Sequence, residues 1–209
     1  MPALPRTSPR KKPRQARSGV TVAAILQATA RVLRRDGYDK LSTNRVALEA
    51  GVSIGSLYQY FPNKESLVAA LIDEHRGEMM RIFFERMAEV AGASVEVAAR
   101  VLVRALVESQ ASDPRLHRML YEQIPRVGRF GHLLEALEVH AAGTVRSYLE
   151  SRKDELAVTD LDTATFVLVH AVEAVTRASV ISRPKGIAIE RFIDETSAMV
   201  VAYLTRPRA

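Results

Sequence analysis

STNRVALEAGVSIGSLYQYFPNKESL, residues 42–67, decides how this chain reads. It holds two short helical patterns divided by Gly51-Val52-Ser53. Ser42 stands where an N-cap belongs, and Leu41 and Val46 have the spacing of a hydrophobic staple around it. Gly51 ends the first pattern as a C′ glycine. Ser53 caps the second, with Val52 and Leu57 repeating the staple, and Pro62 stops it. Asn63 caps whatever follows. Two short helices joined by a tight glycine turn form a helix-turn-helix, here residues 42–61, whose second helix enters a DNA major groove while the first braces it.

Leu57 and Phe61, four residues apart, are expected to pack inward. Gly55, Ser56, Gln59 and Tyr60 then face outward, with Tyr58 at the flank. Gly55 allows close approach of a partner to the backbone. Ser53, Ser56 and the tyrosine hydroxyls can donate to phosphate oxygens, and Gln59 has the donor–acceptor pair that matches an adenine edge. The aromatic rings add flat contact area with a polar tip. Tyr58 can equally be partly a core residue.

Outward from this stretch the helical period continues. Val22, Ile25, Leu26, Thr29, Val32 and Leu33 mark a helix from near Ser18 to Gly37. Leu67, Leu71, Ile72, Met79, Ile82, Phe83 and Val90 mark a long one after Asn63. Gly92 and Ser94 open another, and Asp113-Pro114 forms an N-cap and N1 pair for the next. Further helices are expected over roughly 129–152, 160–182 and 188–204. No alternating pattern appears, so the fold class is all-α, with about nine helices.

The chain has 209 residues and 47% hydrophobic content, enough for one domain or two small ones. It has no cysteine, which excludes disulfides, thiolate metal sites and cysteine nucleophiles and fits a reducing cytoplasm. The basic N-terminus lacks the apolar run of a signal peptide. The longest apolar stretch is interrupted by His170, Glu173 and Arg177 and is expected not to span a membrane. Residues 1–50 carry eleven basic side chains against Asp36, Asp39 and Glu49, a net +8 in a chain whose total is +6. A basic front end suits a polyanion partner. Residues 1–17, with four of the nine prolines and no acid, read as a disordered arm. Such an arm can be a solubilising tail or can lie in the minor groove.

Residues 42–67, with the preceding RRDGYDKLS, resemble the DNA-binding domain of the tetracycline-repressor (TetR) family of bacterial transcription regulators. The resemblance covers residues 18–67. It implies that Thr43 contacts phosphate, that Asn44 and Arg45 face the groove with Arg45 reaching a guanine edge, and that Lys64 clamps a phosphate. It implies backbone contacts for Ser53, Ser56, Tyr58 and Tyr60, with Gln59 as base reader. Ile54 departs from the polar or basic residue common at that position. It can meet a thymine methyl or be spare.

The same resemblance makes residues 68–209 an effector-binding and dimerisation domain. Residues 159–181 are apolar nearly all round, and Ile189, Phe192, Ile193, Thr196, Met199, Val200 and Tyr203 form one broad stripe. Two such helices from each subunit can build a four-helix interface. Its expected members are Glu173, Arg177, Ile189, Phe192, Met199, Val200 and Tyr203. His170, Glu173 and Arg177 share a helix face and can line a pocket or stitch the dimer. Pocket candidates are His75, Met79, Phe83, His117, Tyr121, His140 and His170, each also readable as an ordinary core or surface residue.

No Walker loop, G-x-S-x-G or H-E-x-x-H occurs, so no enzyme is expected. His132 and Glu135 have the spacing of a metal-binding face without a second such set, so no metal or other cofactor is expected. The expected function is a cytoplasmic, nucleoid-associated homodimeric repressor on a palindromic double-stranded operator, released by an unknown small-molecule effector, with no membrane partner. The alternatives are a ligand-independent or architectural DNA binder and an activator of the same fold.

Overall fold

The computed structural model describes residues 16–122 and 129–206, with side chains for 18–120 and 139–206. Among the described residues every regular element is helical. The order is α1 (Ala16–Asp36), α2 (Thr43–Ala50), α3 (Ile54–Tyr60), α4 (Lys64–Glu89), α5 (Val95–Ala111), α6 (Pro114–Glu122), α7 (Arg129–Ser151), a 3-10 turn (Lys153–Glu155), α8 (Leu161–Ile181) and α9 (Ile189–Thr205). The all-α expectation holds. The arm, residues 1–17, lies outside the described side chains.

The chain divides into two compact bodies. One is built of α1–α3, α4 as far as Gly77, and α6. Its core is the inward stripe of α1 (Ile25, Val32, Leu33) closed by Val46, Leu57, Phe61, Leu67 and Val68, all essentially inaccessible. Full burial of such side chains stabilises by about 1.5–3 kcal/mol each. Buried Thr29 sits among them at no polar cost, because its hydroxyl donates to the Ile25 carbonyl at 2.8 Å.

The other body takes α4 from Glu78, α5, most of α7, and α8 and α9. Helix α5 packs on both α8 and α9, which also pack on each other. Val95, Ala99, Leu149, Val158, Ala164, Leu168, Val200 and Leu204 form its larger core cluster. Val103, Val107 and Ile193 form a second, with Ile189 and Phe192 partly buried against it.

Three expectations change here. Val200, expected at the interface, is only 8% exposed and belongs to the core of its own chain. The reason is angular. At 100° per residue, Ile193, Val200 and Leu204 line one side of α9, and Phe192, Met199 and Tyr203 lie roughly a quarter-turn round. Ile189 and Phe192 are shared between core and surface rather than wholly outward. Finally, α8 does have the length and apolarity to cross a membrane. By length and composition alone Glu173 and Arg177 do not interrupt it, yet the helix packs on α5 and α9 within the second body.

Candidate nucleic-acid interface

The two short helices are held by their caps. Ser42 accepts from the Arg45 amide at 3.4 Å, and Ser53 accepts from the Ser56 amide at 3.1 Å. Gly51 adopts the left-handed conformation, φ 67°, that lets α2 end after eight residues, and its N–H turns back to the Ala47 and Leu48 carbonyls. Asn63 and Ser66 cap α4 reciprocally: Ser66 N–H donates to Asn63 Oδ1 at 2.8 Å, and Asn63 N–H donates to Ser66 Oγ at 3.3 Å. The turn is therefore closed by bonds within a few residues of sequence.

Leu57 and Phe61 are buried, as their spacing requires, which fixes the rotation of α3. Ser53, Ile54, Gly55, Tyr58 and Gln59 are exposed, and Ser56 and Tyr60 are half-buried. From α2, Asn44 and Arg45 are exposed and Thr43 is half-buried. The Tyr58 hydroxyl lies 3.1 Å from Thr43 Oγ1 and joins α3 to the start of α2 across the exposed side. Tyr58 is thus both a surface residue and a strut. A Cβ on Gly55 would meet only Ser53 Oγ, at 3.9 Å, so the chain itself has no steric need for glycine there. The Ser53 and Ser56 hydroxyls are 2.8 Å apart, so one donates to the other and one O–H is left to donate outward beside that opening.

Four further residues, from α1, α2 and the segment between them, add to this surface. Lys64 Nζ lies 4.4 Å from the centre of the Tyr38 ring, a cation–π contact that aims the ammonium group. Burial pushes the Tyr38 hydroxyl above its ordinary pKa, with Glu65 and Asp39 adding to the shift. Asp36 and Glu49 bind the arginines of α1 and α2. Glu49 takes Arg31 and Arg35, each at 2.9 Å, and Asp36 takes Arg35 and Arg45, each at 3.2 Å. The Arg35 guanidinium holds both carboxyls below the usual range, helped by Arg31 at Glu49. Three of the arginines behind the +8 front end are therefore committed within the chain. The fourth residue, Leu48, stands 85% exposed on α2. The tertiary pairings carry no sequence signal at helical spacing. The exception is Asp36, an acid at the negative end of α1, where the helix dipole disfavours it.

Of the expected pocket residues, His75 and His117 lie in the first body and Met79, Phe83, His140 and His170 in the second. His75 and His117 belong to the first body, with His75 Nε2 3.2 Å from Nδ1 of the fully buried His117. Met79 and Phe83 belong to the second, where Phe83 is core. His140 is exposed and meets Phe84 edge-on at 4.8 Å. His170 is exposed against Phe166, rings 4.3 Å apart, so it lies on the outside of α8 and not in an internal pocket. Tyr121 ends α6, and its side chain, like that of His132, is outside the described set.

Residues 25–71 match the family described as bacterial regulatory proteins, tetR family, and residues 94–204 match the tetracyclin repressor-like C-terminal domain. Among curated proteins, the chain is 32% identical over 74 residues to the fatty acid metabolism regulator protein of Bacillus subtilis, covering 35% of this chain and 38% of that one. It is 27% identical over 111 residues to the nucleoid occlusion factor SlmA of Pasteurella multocida, covering 49% and 54%. The matched region thus spans about half or less of each of these relatives. Among solved structures, the fatty acid degradation regulator FadR of Bacillus halodurans superposes with a TM-score of 0.70 at 18% identity, over 91% of this chain and 96% of that one.

Proposed function

This chain belongs to the TetR family of DNA-binding transcription regulators, and we propose that it acts as a homodimeric repressor that a small-molecule effector releases from a palindromic operator. The observation that carries the DNA-facing assignment is the open side of α2 and α3. On α3 it carries a glycine with no internal steric role, a bonded pair of serine hydroxyls and exposed Gln59, and α2 adds exposed Arg45. In this reading Thr43, Asn44, Ser53, Ser56, Tyr58, Tyr60 and Lys64 meet the backbone. Gln59 and Arg45 meet base edges, and Ile54 meets a thymine methyl. Two such surfaces, about 34–36 Å apart, would occupy successive major grooves.

Dimerisation is assigned to the outward faces of α8 and α9. Phe166, His170, Glu173 and Arg177 fall within a narrow arc of α8. Phe166 is 64% exposed, and Met199 on α9 is 40% exposed. Exposed apolar surface of this kind favours burial against a second copy. Glu173 and Arg177, paired at 3.3 Å and half-buried, would form its polar part.

An effector site is assigned to the second body. Gln110 is buried between α5 and α8, and its amide donates to Thr176 Oγ1 at 3.1 Å. Its carbonyl oxygen is buried without a donor. A ligand or water bringing an N–H or O–H would relieve that cost. Met79 and His140 are further candidate contacts in the same body. The match to a nucleoid occlusion factor favours a second reading, a DNA-bound protein that needs no effector.

One experiment separates the two. Genome-wide mapping of bound sites gives the operator, and a panel of apolar small molecules is then screened by thermal melting and operator release. A ligand-responsive repressor shows a compound that raises the melting temperature and frees the DNA. A panel that does neither supports the effector-independent reading.

A further inference from the structure

We propose that Asp36 is a positioning residue for sequence readout: it holds the Arg45 guanidinium in the orientation that meets a base, and so sets operator discrimination without touching DNA. This rests on the assignment of Arg45 as a base reader.

The ion pairs form an alternating chain, Arg31–Glu49–Arg35–Asp36–Arg45, that stitches the C-terminal half of α1 to α2. Its members are not equivalent. Arg31 reaches Glu49 twice, through the carboxylate at 2.9 Å and the backbone carbonyl at 3.2 Å. Arg35 is shared between two carboxylates. Among the described residues Arg45 is the terminal member, and Asp36 is its one ion-pair partner, through Nη1 at 3.2 Å. Removing the Asp36 carboxylate would therefore leave Arg31 and Arg35 on Glu49 while releasing Arg45.

Exposure separates the two partners. The Asp36 side chain is 19% exposed and that of Arg45 is 52% exposed. The carboxylate is held inside the α1–α2 corner while the guanidinium reaches outward. With Nη1 engaged by Asp36, Nη2 and Nε remain to supply the two-point contact that guanine O6 and N7 accept. Local preference does not account for an aspartate here, because α1 ends at this residue and an acid at a helix C-terminus opposes the dipole. The adjacent Arg35 offsets part of that cost, and the bond to Arg45 on α2 makes Asp36 a candidate for a role beyond its own helix.

Pre-ordering and bulk charge predict opposite signs. Immobilising a long side chain on binding costs about three- to tenfold in affinity, and Asp36 supplies that order in advance. As a bare charge, however, Asp36 repels DNA, so neutralising it would tighten binding to any sequence.

The test uses the full-length protein and two duplexes, one carrying the most enriched genomic site and one a shuffled sequence of equal composition. Dissociation constants are measured at one salt concentration for wild type, Asp36→Asn, Asp36→Glu, Arg45→Ala and Asp36→Asn/Arg45→Ala. Asp36→Asn is expected to lower the operator-to-shuffled ratio by about three- to tenfold, by weakening the operator, with shuffled DNA bound equally or more tightly. Asp36→Glu keeps the charge but lengthens the arm, so it should lose discrimination as well. The double variant should discriminate no worse than Arg45→Ala. If Asp36→Asn tightens both duplexes alike, or Asp36→Glu matches wild type, Asp36 acts as charge or scaffold only and the inference falls. If Arg45→Ala leaves the ratio unchanged, the base-reading assignment fails and takes the inference with it. Circular dichroism melts accompany each variant, and a discrimination loss in Asp36→Glu at wild-type melting temperature supports positioning even where Asp36→Asn is less stable.

Discussion

The α2–α3 pair and the α8–α9 pair solve the problem of exposed surface in opposite ways. The first is short, and its backbone ends are closed by Ser42, Gly51 and Ser53. What it leaves outside is mostly polar or aromatic, matched to a hydrogen-bonding partner. The second is long. Asp160 caps α8 through the Thr163 amide at 3.0 Å, but α9 has no side-chain cap. What this pair leaves outside includes Phe166, Val167 and Met199. A polar surface tolerates water until its ligand arrives, whereas an apolar one is stabilised by permanent cover. On the proposed assignment, the difference separates a surface for reversible binding from one suited to lasting association.

The comparison is most easily broken on α9. Val200→Glu puts a charge among Val95, Leu149 and Leu168 of its own chain and is expected to cost more than about 4 kcal/mol, read as loss of cooperative thermal unfolding. Phe166→Glu, on the outward face of α8, is expected to leave each chain folded and weaken self-association by about 2–4 kcal/mol, read by sedimentation. A Phe166→Glu protein that is still fully dimeric would move the interface elsewhere.

At the other end, Gln59→Ala is expected to weaken operator binding by about 1–3 kcal/mol and shuffled DNA by much less, at one fixed salt concentration. Equal losses on both duplexes would make Gln59 a backbone contact. The smallest expected effect is the most diagnostic of surface function. Gly55→Ala should raise stability by about 0.5–1 kcal/mol, because helix propensity improves and the new methyl group meets only Ser53 Oγ. It should nonetheless weaken DNA binding. A variant that gains stability and keeps its affinity would show that the opening at Gly55 is not used.

Reading the sequence was sufficient for α2 and α3 because each rule used there is local. Ser42 and Ser53 cap within three residues, Gly51 needs only its own φ, and Leu57 and Phe61 define an inward side four residues apart. The boundaries expected for the later helices fell within one or two residues of those found, for the same reason. The reading faltered on α9, where Ile189, Phe192, Met199 and Val200 were grouped as one stripe. Apolarity alone does not say which half of a wide stripe faces α5 and which faces outward. It also passed over Phe166, because an apolar residue on an apolar helix carries no mark of exposure.

The sequence by itself determined the helical class, the turn, the family and the rotation of α3, since these follow from backbone preferences and spacings within one or two helical turns. Only the tertiary structure decided that Asp36 holds Arg45, that Tyr38 lies under Lys64, that Thr43 ties to Tyr58, and that Val200 is core while Met199 is not. Those pairings join different elements. Their energies depend on distance and burial, which exist only once the helices have packed.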